Sequence, residues 1–176
     1  GGSRGGHPRR GDEPVGGRSG PRLAHPWRLL SRAGLRDGDV FYLTKPSGTG
    51  TILASAKQGK DEPGWVDGAI ASMLKLNRHA SHLALAAGVS AATDVTGFGL
   101  MGHLWEMAER SGVRVTFEAA AVPLLAGARD ASALGVHTSG EGRNRDWVGG
   151  NAEIAPVVDG DVAHLRFDPQ TSGALL

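Results

Sequence analysis

No cysteine occurs among the 176 residues. Disulfides and thiolate metal sites are therefore excluded. Aromatic residues are scarce, at 5%, and none precedes Trp27. The basic residues before that point thus have no rings between them on which bases could stack, and no specific nucleic-acid partner is expected. Long apolar runs are also missing, since a membrane-crossing helix needs about 18 or more consecutive apolar residues. Gly1 to His25 is polar and glycine-broken where a secretory signal would be continuously apolar. A cytoplasmic protein without a membrane partner is the expectation.

Glycine, by contrast, is abundant: 28 residues, against a typical share of about 7%. Eight of them fall in the first 26 positions, with five arginines (Arg4, Arg9, Arg10, Arg18, Arg22) and only two acids, Asp12 and Glu13. This stretch carries +3, and Trp27 to Leu176 carries −2. So little apolar surface cannot offset the entropy of ordering, and residues 1–26 read as a disordered leader. The chain opens on Gly1 and not on Met, which suggests a start within a longer reading frame or added leader residues. Residues 27–50 read as the end of an N-terminal domain and a linker, and 51–176 as a C-terminal domain incomplete at its C-terminus.

The pattern along the chain alternates between strand and helix signals. Val40-Phe41-Tyr42-Leu43 is β-branched and aromatic and predicts a short strand. The loop TKPSGTG follows, and a helix is expected from Ile52 to Lys57. From Asp67 to Ala87 the residues Ile70, Met73, Ala80, Leu83, Ala84 and Ala87 form one helical stripe, which Gly88 ends. Gly99 to Arg110 predicts a helix, Val113 to Phe117 an alternating strand, Pro123 to Leu134 a helix, Val136 to Asn144 a glycine-rich loop and Ala163 to Phe167 a last strand. The alternation permits a two-layer α+β fold, with helices covering one face of a mixed sheet.

The most informative stretch is ATDVTGFGLMGHLWEM, Ala92 to Met107. It sets Asp94 in a glycine-punctuated loop that opens a helix, and a carboxylate beside a helix N-terminus suits a magnesium–phosphate pair. Gly97 and Gly99 would let backbone N–H groups approach an anion, with Thr96 beside them. The competing reading is a strand-to-helix turn in which Asp94 or Thr96 merely caps the helix. Lys45 and Thr49 in TKPSGTG are candidate phosphate contacts, although a Pro/Gly-rich link needs no ligand. Its lysine precedes the glycines, so it is no Walker loop. Arg143 and Asn144 are further candidates for phosphate oxygens, or part of a plain surface turn. Asn77 lies on or near its helical stripe, either buried against a partner or aimed at the site. His79 and His82 stand at i, i+3 with no third ligand nearby, and His103 reads as a structural histidine. In DPQTSG, Asp168, Thr171 and Ser172 can hydrogen-bond the turn's own backbone.

Three segments, LTKPSGTGTILA (Leu43 to Ala54), ATDVTGFGLMGHLWEM and FDPQTSGALL (Phe167 to Leu176), resemble consecutive signatures of the selenophosphate synthetases (selenide, water dikinases). SMLKLNRHA (Ser72 to Ala80) and GEGRNRDWV (Gly140 to Val148) are similar to two more. The resemblance covers Gly38 to Leu176 and implies an incomplete C-terminal domain of the aminoimidazole ribonucleotide synthetase-like fold. That family converts ATP, selenide and water into selenophosphate, AMP and phosphate with magnesium, and its members are homodimers. Asp94 maps onto the family's aspartate in DVTGFG and by that likeness binds magnesium. The family's other half, with its glycine-rich segment, lysine, further aspartates and Cys or selenocysteine, has no counterpart here. The resemblance therefore implies a fragment inactive by itself, with no catalytic residue of its own. The alternative is a non-catalytic module kept for nucleotide binding or dimerisation. Ala174 replaces a glycine usual in the last motif, which is tolerable unless that position needs φ > 0.

Overall fold

A computed structural model describes residues 30–176. The expected leader, residues 1–26, lies outside the described residues. Seven helices follow in chain order: α1 (Thr49–Lys57), α2 (Trp65–Leu74), α3 (Arg78–Ala87), α4 (Gly99–Ser111), α5 (Ala128–Ala133), α6 (Ser139–Val148) and α7 (Gly160–Phe167). α4 packs on α6 and α7, α1 on α2 and α5, and α7 on α5 and α6. α7 is thereby the central element, and its buried Val162, Ala163, Leu165 and Phe167 reflect that position.

No strand forms among the described residues. Two isolated bridges stand in place of the expected mixed sheet: Ser47 pairs with Leu124 in parallel, and Asp94 with Leu175 in antiparallel sense. The sequence pattern was reporting burial and not hydrogen bonding. Val113, Val115 and Phe117 do face the core on alternate positions while Arg114 and Thr116 are exposed, but no second segment among the described residues completes a ladder. Val40 and Tyr42 are 75% and 77% exposed, and their segment likewise forms no ladder among the described residues.

Four other expectations need correction. The stripe from Asp67 to Ala87 is two helices, because Lys75 turns extended (ψ 111) and Asn77 starts α3. The Asn77 amide donates to the Gly173 carbonyl at 2.9 Å, which holds the break in place. Within Pro123 to Leu134 only α5 is helical, since Pro123 and Leu124 lie extended against Ser47 and Gly127 sits at φ 81. The expected glycine-rich loop Val136 to Asn144 is helical from Ser139 onward, and the expected strand Ala163 to Phe167 is the end of α7. Each is started by a cap: the Thr138 hydroxyl accepts from the Glu141 N–H at 3.1 Å, and the Asp159 carboxylate from the Asp161 N–H at 2.9 Å. Such caps offset the poor helix propensity of glycine.

Two apolar clusters result. Val95, Leu100, Leu104, Met107, Leu35 and Leu176 form one beneath α4. Ile52, Ala69, Ala128 and Leu165 form the other between α1, α2, α5 and α7.

Candidate functional site

Asp94 owes its exposure to the pairing of its neighbours. Thr93 and Val95 exchange backbone hydrogen bonds with Leu176 and Ala174 at 2.8 to 3.1 Å, and both are buried. Successive side chains of an extended segment point to opposite sides, so Asp94 faces out, and it is exposed. Its carboxylate forms no ion pair among the described residues.

The loop after it is fastened from several sides. The Thr96 N–H donates to His103 Nε2 at 3.0 Å, and its carbonyl accepts from Gly99 and Gln170 N–H groups at 3.0 Å. The Asn144 amide donates to the carbonyls of Gly97 and Phe167, both at 2.9 Å. Because His103 Nε2 accepts, its proton is assigned to Nδ1, a buried atom with no partner. Burial, first, and the Arg32 charge hold the imidazole below the usual histidine range, with Asp94 and Glu106 opposing. The ring is neutral and structural, as its helical position suggested.

The two loop glycines divide their work. Gly99 has φ +68, and a Cβ there would lie 2.8 Å from the Phe167 carbonyl, so both backbone and packing require glycine. Gly97 has neither constraint: its φ is not positive, and no atom lies within 4 Å of where a Cβ would stand. Exposed Asp94 and exposed Gly97 therefore flank an open approach to the loop.

The other candidate residues turn inward. Lys45 is buried and its ammonium donates to the Ser172 carbonyl at 2.6 Å and the Ser72 carbonyl at 3.4 Å. Burial, then the nearby Lys75 charge, lowers its pKa. Thr49 donates to Gln170 Oε1 at 3.1 Å and accepts from the Thr171 N–H at 3.0 Å. The N-terminus of α1 is filled by the DPQ segment itself. Gln170 Oε1 accepts from the N–H groups of Gly48 (2.9 Å) and Thr49 (3.2 Å). Asp168 accepts from the Gly50 N–H at 3.1 Å and the Thr51 hydroxyl at 2.9 Å. Burial raises the Asp168 pKa to about 6, with Thr51, Gln170 and Gly50 pulling it back. A carboxylate at a helix N-terminus is stabilised as a bound anion would be. Arg143 is exposed and Asn144 buried on α6. His79 and His82 are both exposed on α3.

Sequence reasoning named Asp168 only for its own turn and passed over Gln170, because both act on residues about 120 positions away. Among the described residues Ser172, at φ 48, is the non-glycine residue with positive φ; Ala174 does not share it, so its methyl group fits without strain. The donors that face the open approach are hard oxygens, with one carboxylate. That set fits magnesium, which takes one or two carboxylates and leaves its other positions to water and phosphate.

Residues 36–142 match the family described as AIR synthase related protein, C-terminal domain. The chain is 42% identical over 172 residues to a selenide, water dikinase of Geobacter metallireducens, covering 98% of this chain and 50% of that protein. It is 40% identical over 172 residues to the selenide, water dikinase of Caldanaerobacter subterraneus subsp. tengcongensis, again covering 98% and 50%. A third relative, from Burkholderia pseudomallei, is 40% identical over 173 residues, 98% of this chain and 49% of its own. The matched stretch reaches into the glycine- and arginine-rich first 26 residues, and the chain spans about half the length of these relatives. With the DVTGFG loop, its Asn144 and His103 anchors and the DPQ cap all on one scaffold, the chain belongs to the AIR synthase related proteins, of which it carries the C-terminal domain.

Proposed function

We propose that this chain is the part of a selenide, water dikinase that presents Asp94 and the Gly97 backbone to the magnesium-bound phosphates of ATP. The carrying observation is Gly97: a glycine that neither φ nor packing demands, exposed beside an exposed carboxylate, in a loop pinned by His103, Gln170 and Asn144. Rigid placement of charge where phosphate arrives is the protein's main contribution to phosphoryl transfer. Magnesium, when bound, would neutralise the phosphate charge. Asp94 would hold it, and the Gly97 edge of the loop would leave room for an oxygen to come close. Arg143 is the exposed cation in this reading with freedom to reach a phosphate. Lys45, Thr49 and Asn144 serve as framework through the contacts described above.

Selenide as second substrate and selenophosphate as product belong to the same proposal, supported by the relatives' name and the signature segments. So do a mixed sheet, a C-terminal domain over 51–176, homodimerisation and a cytoplasmic setting. The Val40–Leu43 segment, with Val40 and Tyr42 exposed, forms no ladder among the described residues and is where a further strand would fit. One carboxylate cannot complete the chemistry. The chain alone is expected to release no AMP from ATP and selenide above a no-protein control.

The decisive test replaces Asp94 with Asn in a full-length relative carrying the same loop. Asn keeps size and an acceptor but loses charge, so a magnesium ligand would be lost while a cap would survive. Turnover should fall by orders of magnitude, with added magnesium recovering part of it. Stability without nucleotide should change by no more than about 1 kcal/mol. Unchanged turnover would remove Asp94 from the site.

A further inference from the structure

A second group of potential ligands lies on the α6–α7 seam. Glu141, in the first turn of α6, is buried. Its Oε1 lies 2.7 Å from Nδ1 of His164 on α7, and its Oε2 lies 3.7 Å from Nδ1 of His137, just before α6. One donor atom from each of the three residues falls within 4.8 Å of the others, and the two imidazoles lie with centroids 4.4 Å apart. A tetrahedral ion with bonds of about 2.0 to 2.2 Å would set its donors roughly 3.4 Å apart. The 2.7 Å contact is made by Oε1 and the 3.7 Å contact by Oε2, so Glu141 must turn to present one oxygen and His164 must move back for that spacing to be met. One obstacle is visible. The Arg145 guanidinium approaches both Glu141 Oε1 and His164 Nδ1 at 3.4 Å, while its carbon sits 4.5 Å over the Phe167 ring. Its side chain is 39% exposed, so it can swing into solvent.

We propose that His137, Glu141 and His164 form a binding site for a zinc-class divalent cation, with the fourth position left to water. Two imidazoles and one carboxylate suit zinc or cobalt and are a poor set for magnesium, which prefers oxygen alone. The site is separate from the Asp94 loop in ligands and in metal preference. It has a structural effect as well. Glu141 shares α6 with Asn144, and His164 shares α7 with Phe167, whose carbonyl Asn144 holds. An ion joining Glu141 to His164 therefore clamps the two helices that fasten the Gly97 loop.

The test is titration of the untagged chain with Co2+, followed by its visible d–d absorption, and displacement by Zn2+. One equivalent should bind with tetrahedral-type bands, Zn2+ should abolish them, and excess Mg2+ should not. His164→Gln and Glu141→Gln should each weaken binding by about 100-fold or more, since even outer partners of a metal site cost 10- to 100-fold. Circular dichroism checks that these variants remain folded. Arg145→Met keeps an apolar contact with Phe167 but removes the competing charge, so it should tighten binding several-fold, an effect that no loss of folding can imitate. His79→Asn with His82→Asn should change nothing. Absence of bands in the wild type, wild-type affinity in a His137→Gln/His164→Gln double variant, or no tightening in Arg145→Met would each overturn the proposal.

Discussion

Gly97 and Gly99 stand two positions apart in one motif and look equivalent in sequence, yet only Gly99 is bound by its φ of +68 and by the Phe167 carbonyl. Gly99→Ala should destabilise by about 2 kcal/mol or more through strain and clash. Gly97→Ala should stay within about 0.5 kcal/mol in urea denaturation. In a full-length relative the order of effects on activity should be set differently, with Gly97→Ala lowering ATP turnover although its fold is intact. His103 gives a pH signature. Its folded pKa is depressed by burial, so its contribution is present above the unfolded value of about 6.5 and is lost as pH falls below it. Asp168 works in the opposite sense. With a folded pKa raised to about 6, its contribution is full below the unfolded value near 4 and is lost as pH rises through about 6. His103→Gln keeps an acceptor for Thr96 and removes the titration. Between about pH 8 and about pH 5 the wild type should therefore lose more stability than this variant, measured by denaturant unfolding at each pH. That Asp94 stands in a glycine-punctuated loop opening a helix was legible in sequence, because charge beside glycine is a local pattern. The framework contacts of Lys45, Thr49 and Asn144 were not, because each depends on a partner brought in by tertiary structure.

At the scale of the element, helices that followed a clear apolar stripe were readable: α4 appears within one residue of its expected bounds, and α1 close to them. α6 was read as a loop because its SGEGRNRDWV carries two glycines and little apolar surface. The signal that identifies it is Thr138 followed three residues later by Glu141, a capping-box spacing. α7 was read as a strand because Ala163, Leu165 and Phe167 alternate with His164 and Arg166, and so short a run cannot distinguish the two periods. Asp159 ahead of it was the overlooked start signal. The caps also differ in weight. Thr138→Ala removes one exchangeable hydrogen bond and should cost about 1 kcal/mol. Gln170→Met leaves the Gly48 and Thr49 N–H groups and the Thr49 hydroxyl without their buried acceptor. That should cost about 2 to 4 kcal/mol. Thermal unfolding of the two variants side by side checks the ranking.

Across the whole molecule, the expected layers are only half visible. Helices pack as helices should, but of the segments that carried strand patterns Ala163 to Phe167 is part of α7, and Val40 to Leu43 and Val113 to Phe117 form no ladder among the described residues. A groove of about 620 Å³ beside them is lined by Phe41, Tyr42, Leu83 and Leu176 among others. Exposed apolar surface of this kind should bind an environment-sensitive dye. Val40→Thr with Tyr42→Ser should lower the dye signal while leaving stability within about 0.5 kcal/mol, because both side chains are already solvent-exposed. The sheet was unreadable as to pairing for a physical reason: alternation in one segment says which side is buried, whereas a ladder needs a second segment that no local pattern names. The DPQ cap carries its own consequence for how the protein is made. The start of α1, near Thr49, is closed by residues 168–170, and Thr44 by Leu175, pairs separated by 118 to 131 positions. During synthesis the start of α1 stays open until residues 168–170 emerge, so closure of this helix is timed by a segment made far later in the chain.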